Sequence, residues 1–243
     1  MLVLRIVWMI LLGLSLPLTS FAQVTASQWY QKGDFDKAIL AYESQISDDF
    51  QNSSILFNLG NSYYKSDQKG KAMAAYLKAQ QLSPRDPDVK ANLSFLTSRL
   101  KDDVAVPKGE FAVHTLTLSE HLSLKEIFGI SVLCFLLGGI SWGYMGFFEV
   151  RPVYAVFGQV FLLPGLIFFF MTLMRMQLAP QIGAVSAEQV EVLASPSNKN
   201  GVVVFQLNEG APVAILENIG EWYRIELFDK KRGWVKSEEI MMF

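Results

Sequence analysis

Histidine and cysteine, the residue types that most often carry metal or nucleophilic chemistry, are scarce in this chain of 243 residues, which has two histidines and one cysteine. His114 and His121 are seven residues apart with Glu120 nearby, a spacing that would share one helix face. A zinc site needs a third ligand and a fixed geometry. We therefore expect the two histidines to be interfacial residues rather than metal ligands. Cys134 stands in an uncharged segment and is typical of a small packing residue. The sequence has no nucleophile–base pattern or phosphate loop, so we expect no enzyme activity, no cofactor and no metal.

The charge balance excludes a further class of function. Lys and Arg number 21 and Asp and Glu number 23, a net charge of −2, whereas nucleic-acid-binding proteins usually show a basic excess. Apolar residues form 51% of the chain and charged residues only 18%, and the mean hydropathy is +0.27. Because soluble proteins carry roughly 25% charged residues, we expect part of the chain to lie in lipid.

The remaining polar and aromatic residues are suited to binding a partner rather than to catalysis. Asparagine both donates and accepts hydrogen bonds, as a peptide backbone does, and aromatic side chains act as binding anchors. A helical array in residues 23–105 would direct residues of both kinds into one groove, and we predict that these contact a partner: Tyr30, Phe57, Asn58, Asn61, Tyr64, Asn92, Phe95 and Arg99. For Tyr30 and Tyr64, packing between helices is an equal alternative. Some helical arrays hold the C-terminal carboxylate of a peptide with a clamp of basic and amide residues. Only Asn58 matches that clamp here and its basic members are absent, which disfavours a terminal carboxylate as the ligand.

A period of 34 residues organises this array. Ala38 and Ala72, and likewise Tyr42 and Tyr76, share that offset, which is the period of the tetratricopeptide repeat. One register fills the motif with small residues where two helices cross, large residues around the crossing and a proline after the second helix: Leu59, Gly60, Tyr63, Ala72, Tyr76, Ala79 and Pro84. Residues 23–105 are predicted to hold two repeats, the first truncated, and a cap helix. Since about three repeats are needed to bury a core, we expect the array to rest on a partner or on the membrane.

Apolar segments divide the rest of the chain. Residues 1–22 end in Ser20 and Ala22 at the −3 and −1 positions of a cleavage site and resemble a secretory signal peptide, with an uncleaved anchor as the alternative. Residues 122–175 contain two uncharged runs, each longer than the ~20 residues that cross a bilayer. They predict a transmembrane helical hairpin, reached through a linker at 106–121, rather than a buried helix pair. A signal sequence and an even number of crossings would place both soluble domains on the periplasmic side of the inner (cytoplasmic) membrane.

The last 64 residues, 180–243, alternate apolar and polar positions. About five short apolar runs, the first of them Ala184–Leu193, are separated by turn sequences and predict a small β barrel of short strands. Leu207 and Gly210 match a turn of the bacterial SH3-like domains, to which this segment is similar, and such domains mostly bind peptides or cell-wall polymers. Unless the tryptophans fill the barrel core, we expect an aromatic binding groove built from Trp222, Tyr223 and Trp234.

The expected fold class is a multidomain membrane protein with an all-α tetratricopeptide array, two transmembrane helices and a C-terminal all-β SH3-like barrel. This order resembles the BatE-like proteins of the Bacteroides aerotolerance group, which stand beside MoxR-type ATPases and von Willebrand A-domain membrane proteins and are linked to oxygen or stress tolerance. The resemblance lies in architecture and brings no catalytic motif. It implies a non-enzymatic scaffold or adaptor of an inner-membrane complex, with such proteins as partners. A cell-wall sensor or anchor that binds peptidoglycan through the SH3-like domain is the alternative.

Overall fold

The computed structural model describes most of the chain in six stretches, which are residues 26–47, 51–102, 122–148, 153–178, 181–197 and 201–243. The predicted signal peptide (1–22) and linker (106–121), with both histidines, lie outside them. Cys134 lies within the described part and is half-buried, as expected of a packing residue.

Helices form the whole N-terminal part of the described chain: α1 (26–31), α2 (Phe35–Glu43), α3 (Ser53–Lys65), α4 (Lys69–Leu82) and α5 (Pro87–Thr97). Local side chains cap the starts of three of them. Asp34, before α2, accepts a hydrogen bond from the Lys37 backbone N–H at 3.4 Å. The Asn52 side chain accepts a hydrogen bond from the Ser54 backbone N–H at 2.8 Å before α3, and Asp86 caps α5 directly ahead of Pro87. Helix α4 ends two residues before Pro84, which cannot continue a helix. Helices α2 to α5 therefore each have a start or stop signal in their own sequence.

The hairpin of α3 and α4 is packed around small residues. Gly60 lies so close to α4 that a Cβ atom there would come within 2.6 Å of the Tyr76 ring. Leu59, Tyr63 and Ala72 are fully buried beside this crossing. The Tyr63 hydroxyl donates to Glu43 on α2, which joins the second hairpin to the first, and burial together with this carboxylate raises the pKa of Tyr63. The helical core is therefore continuous from α2 to α5.

Two long apolar helices follow, α6 (Leu124–Phe148) and α7 (Val153–Leu178). Each contains a 20-residue stretch, Leu124–Gly143 and Gly158–Gln177, whose mean hydropathy of 1.7 and whose length suffice to cross a membrane. The two helices pack along each other, and the buried Ser131 hydroxyl donates to the Gly165 carbonyl oxygen at 3.0 Å. Most of their remaining apolar surface is exposed, which suggests association with a membrane.

Within residues 181–197 and 201–243, seven strands form one antiparallel sheet in the order β3-β2-β6-β5-β4-β1-β7. The strands are β1 (Gln181–Val185), β2 (Gln189–Leu193), β3 (Val203–Asn208), β4 (Pro212–Ile219), β5 (Trp222–Glu226), β6 (Arg232–Lys236) and β7 (Ile240–Met241). A core of buried aliphatic residues lies on one face, among them Val190, Val192, Val213, Ile225 and Val235.

The apolar run Ala184–Leu193, which the sequence predicts to be one strand, is divided between β1 and β2. The chain turns at residues 186–188, where the backbone N–H of Ser186 donates to the Glu239 carbonyl oxygen at 2.9 Å. This turn sends β1 to the far side of the sheet, where it pairs with β4 and β7. Strand β1 thereby becomes available to the helical part.

Helix α4 packs against β1 and β7, so that the two folded parts are in direct contact. Ala184 of β1 is fully buried in the same cluster as the helical core, and Ile182 and Met241 pack against that cluster. No motif in the sequence predicts this contact.

Candidate functional site

Helix α3, helix α5 and the turn after α5 carry a group of exposed and half-buried residues that we call the aromatic cluster: Tyr64, Phe95 and Arg99. The rings of Tyr64 and Phe95 meet edge to face with centroids 5.7 Å apart. The Arg99 guanidinium lies 4.5 Å from the Phe95 centroid, in cation–π geometry. Phe95 remains 44% exposed, so the cluster offers an apolar ring face and a cation to a ligand.

Beside this cluster, Asn61 and Asn92 form an amide pair. Asn61 Oδ1 accepts two hydrogen bonds of 2.7 Å, from the Tyr76 hydroxyl and from Asn92 Nδ2. Burial raises the pKa of Tyr76, and its hydroxyl therefore stays protonated and donates. Within the described residues, these bonds leave the Asn61 N–H groups and the Asn92 carbonyl oxygen available. The pair thus offers a donor and an acceptor side by side, which is what one peptide unit requires.

Three further residues of the predicted groove have different surroundings. Tyr30 packs edge to face on Phe35, with centroids 5.4 Å apart, and Phe57 is tilted against Tyr76 at 6.0 Å. Both rings are half-buried in contacts between helices. Asn58 is half-buried and lies one turn before Asn61 on α3.

The sheet does not bring the three predicted aromatic residues of the C-terminal part to one face. Trp234 is paired with Arg224, whereas Tyr223 is paired with the fully buried Val235 and packs against the sheet core. Because successive residues of a strand face opposite sides, Trp222 and Arg224 share the outer face with Trp234, and Tyr223 faces inward. The surface consists of two half-buried tryptophans around Arg224, without Tyr223.

A buried ion pair lies farther along β5. The Glu226 side chain is only 7% exposed and accepts from Arg232 Nε at 2.6 Å and Lys230 Nζ at 3.1 Å. Burial alone would raise the pKa of Glu226, but the two cations outweigh it and lower the pKa. The carboxylate is fully ionised at neutral pH and ties β5 to β6, which suits a structural role.

Among the described residues, no group of three or more His, Cys, Asp or Glu side chains is arranged to hold a metal ion.

Comparison with protein families identifies the two folded parts. Residues 53–86 match the tetratricopeptide repeat, and residues 188–241 match the bacterial SH3 domain. No curated protein matches the chain. The chain carries a tetratricopeptide repeat in its helical part and a bacterial SH3 domain in its sheet, and both modules suggest protein–protein interaction or cell-wall binding.

Sequence reasoning missed the residues that join the two modules: Gly70, Asp102, Asn208, Glu209 and Gly210. A signal for the joint was present in α4. Its residues 72–77 read Ala-Met-Ala-Ala-Tyr-Leu, without the polar face of a helix that borders water. All six are at most 3% exposed, because α4 is covered on every side.

Proposed function

We propose that this chain is a non-enzymatic scaffold or adaptor of an inner-membrane complex, and that its tetratricopeptide groove binds an extended segment of a partner protein. The observation that carries the proposal is the half-open amide pair of Asn61 and Asn92 beside the aromatic cluster. An extended peptide has one free N–H and one free C=O per residue. The amide pair supplies the matching acceptor and donor, and the exposed Phe95 ring supplies an apolar anchor at that point.

The charges of the groove favour a partner segment that contains an acidic residue. Arg99 lies over Phe95, and the exposed Lys65 follows Asn61 by one turn of α3. Within the described part of the chain, neither cation forms an ion pair with a carboxylate. A partner carboxylate would meet them without displacing an existing salt bridge, and charge-assisted hydrogen bonds to arginine are among the stronger ones.

We also propose an order of segments along the chain and a location for them. The segments are a signal peptide at 1–22, an array at 23–105, a linker at 106–121, a transmembrane hairpin at 122–175 and an SH3-like barrel at 180–243, with both soluble domains in the periplasm. The resemblance to the Bacteroides aerotolerance group supports von Willebrand A-domain membrane proteins and a MoxR-type ATPase system as partners, and a role in oxygen or stress tolerance.

The test is co-purification of partners with the full-length chain from solubilised membranes, followed by mass spectrometry. The double variant Phe95→Ala/Arg99→Gln removes the exposed ring and the cation, and we expect at least about fivefold lower recovery of the partner set. Leu40→Ala is the matched control, because Leu40 is a 66% exposed apolar residue on α2. Asn61 is left intact, since it also holds the Tyr76 hydroxyl. An unchanged partner set in the double variant would refute the groove as the binding site.

The second candidate function is binding to the cell wall through the SH3 domain, and the outer face with Trp222, Arg224 and Trp234 favours it. Tryptophan rings offer flat faces, and Arg224 can donate hydrogen bonds. A peptidoglycan pull-down with Trp234→Ala and with Phe95→Ala/Arg99→Gln separates the two candidates. Loss of sedimentation only in Trp234→Ala would support wall binding, and no sedimentation of the unaltered chain would argue against it.

A further inference from the structure

The side of α4 that faces the SH3 domain is apolar in a way that a water-exposed helix is not. Gly70, Met73, Ala74 and Leu77 follow one another at spacings of three and four residues and so share a face. Gly70 on this face touches β1, since a Cβ atom added to it would lie 2.1 Å from the Val185 carbonyl oxygen. Because Gly70 has no side chain, α4 can approach the backbone of β1 directly.

The N-terminus of α4 is completed by the other domain. The first turn of a helix has backbone N–H groups without intrahelical partners, and a neighbouring side chain usually accepts one of them. Gln68 stands at the N-cap position of α4 and makes no such bond. Instead Glu209 Oε1, in the turn between β3 and β4, accepts from the Gly70 backbone N–H at 2.9 Å. A carboxylate at this end also interacts favourably with the helix dipole.

A second point of attachment lies beyond α5. Both oxygens of Asp102 accept hydrogen bonds of 2.7 Å from Asn208, one from its backbone N–H and one from its side-chain amide. Gly210 follows with φ +89°, and a Cβ atom there would come within 2.5 Å of the Leu100 side chain. The turn Asn208–Gly210 thus touches the helical domain at both α4 and the end of α5.

We infer that the SH3 domain is the C-terminal cap of the tetratricopeptide array. In a stacked array each repeat is covered by its neighbour. Helix α4 is covered on two sides by α3 and α5, and a further side of it meets the sheet. Strands β1 and β7 and the Asn208–Gly210 turn cover that side, with Ala184 fully buried in the helical core. The inference does not depend on which ligand the groove takes.

The cap also restricts how the chain meets the membrane. Helices α6 and α7 lie between α5 and β1 in the sequence, yet α4 and β1 are in contact. Two domains in contact lie on one side of a bilayer, so the chain between them crosses an even number of times. An ion pair joins Arg85, just before α5, to Glu126 in the first turn of α6, so the array lies next to the start of the first apolar helix.

Hydrogen exchange of the full-length chain in lipid nanodiscs tests the cap. Gly70→Ala favours the helix by itself but inserts a methyl group against the Val185 carbonyl, and Glu209→Gln weakens the helix cap without changing its shape. We expect amides in the first two turns of α4 and in β1 to exchange about five- to tenfold faster in both variants. Glu191→Gln, an exposed acid on β2, is the matched control. Exchange in α4 and β1 that stays as in the unaltered chain would overturn the inference.

Membrane-impermeant labelling tests the consequence for topology. Cys134 is the single cysteine, so Cys134→Ser provides a background for one introduced thiol at a time. Ser94→Cys on α5 and Ser195→Cys after β2 are both exposed. We expect a maleimide that cannot cross the bilayer to label both from the same side of sealed vesicles. Labelling from opposite sides would overturn the cap, since the two domains could not then touch.

Discussion

Glu226 should make the stability of the SH3 domain depend on pH in the acid range, and a substitution of this one residue can test it. Its folded-state pKa lies below the value of about 4.3 expected in the unfolded chain, because Arg232 and Lys230 stabilise the carboxylate. A depressed pKa means that the stabilisation is present above the unfolded pKa and is lost as pH falls through the folded one. We expect the free energy of unfolding of this domain to fall below about pH 4.5.

The variant Glu226→Gln should lower stability at pH 7 by about 1–2 kcal/mol, a modest figure because Lys230 and Arg232 are about half exposed and screened by solvent. The difference between the variant and the unaltered chain should become smaller at pH 3, because the carboxylate is increasingly protonated as pH falls. Thermal unfolding of the full-length chain, followed by tryptophan fluorescence at both pH values, measures the difference. A gap between the two proteins that is as wide at pH 3 as at pH 7 would rule out this ion pair as its source.

At this scale the sequence predicted residue types better than their relations. The repeat register placed Asn61 and Asn92 on the groove side, but the shared hydrogen bond with Tyr76 depends on three helices meeting, which spacing alone does not determine. The inward position of Tyr223 had a signal in the sequence. Trp222 and Tyr223 are adjacent in one strand, and strand alternation alone sends them to opposite faces.

Among the elements, the hairpin of α3 and α4 depends most on small side chains. Gly60→Leu would drive a large side chain into the Tyr76 ring, and Ala72→Leu would overfill a fully buried position. Overpacking of this kind typically costs ~1–3 kcal/mol. We expect both variants of the full-length chain to lose helical circular dichroism at a lower temperature than Ser94→Leu, which changes an exposed residue of α5. Equal melting temperatures of all three variants would mean that the crossing of α3 and α4 is not tightly packed.

The elements also show which patterns a sequence carries reliably. Uncharged runs of more than twenty residues predicted α6 and α7 to within a few residues, because the energy of apolar transfer dominates such segments. The split of Ala184–Leu193 into two strands was not predictable from the pattern, since it depends on a backbone bond from Ser186 to Glu239, 53 residues away. Long-range pairing decided that boundary.

For the whole molecule, the contact between domains changes what a truncation would mean. Removing residues 180–243 would expose the face of α4 that carries Met73, Ala74 and Leu77. We expect the helical domain of such a chain to become more sensitive to protease than in the full-length protein, because a fully buried helix would border water. Limited proteolysis at matched concentration in the same detergent measures this. Identical digestion patterns would show that the array is stable without its cap.

A partner lost on this truncation would therefore not identify the SH3 domain as the recognition module. The point variants Phe95→Ala/Arg99→Gln and Trp234→Ala are the cleaner comparison, since each alters one surface and leaves the joint in place. The sequence predicted the modules and their order, while their docking rests on Gly70, Glu209 and Asp102. Those residues belong to no sequence motif, and their role is visible only from their contacts with the other domain.

Because α4 and β1 are far apart in the sequence, α4 is synthesised well before the strand that covers it. The ribosome completes α4 about 100 residues before β1 exists, with both long apolar helices in between. At roughly 5–20 residues per second, the interval is about 5–20 s. Throughout it, the nascent array has an uncovered apolar helix and must be held by a chaperone or a lipid surface, or else stay unfolded. A chain that stalls before β1 is made would leave this face of α4 open to protease.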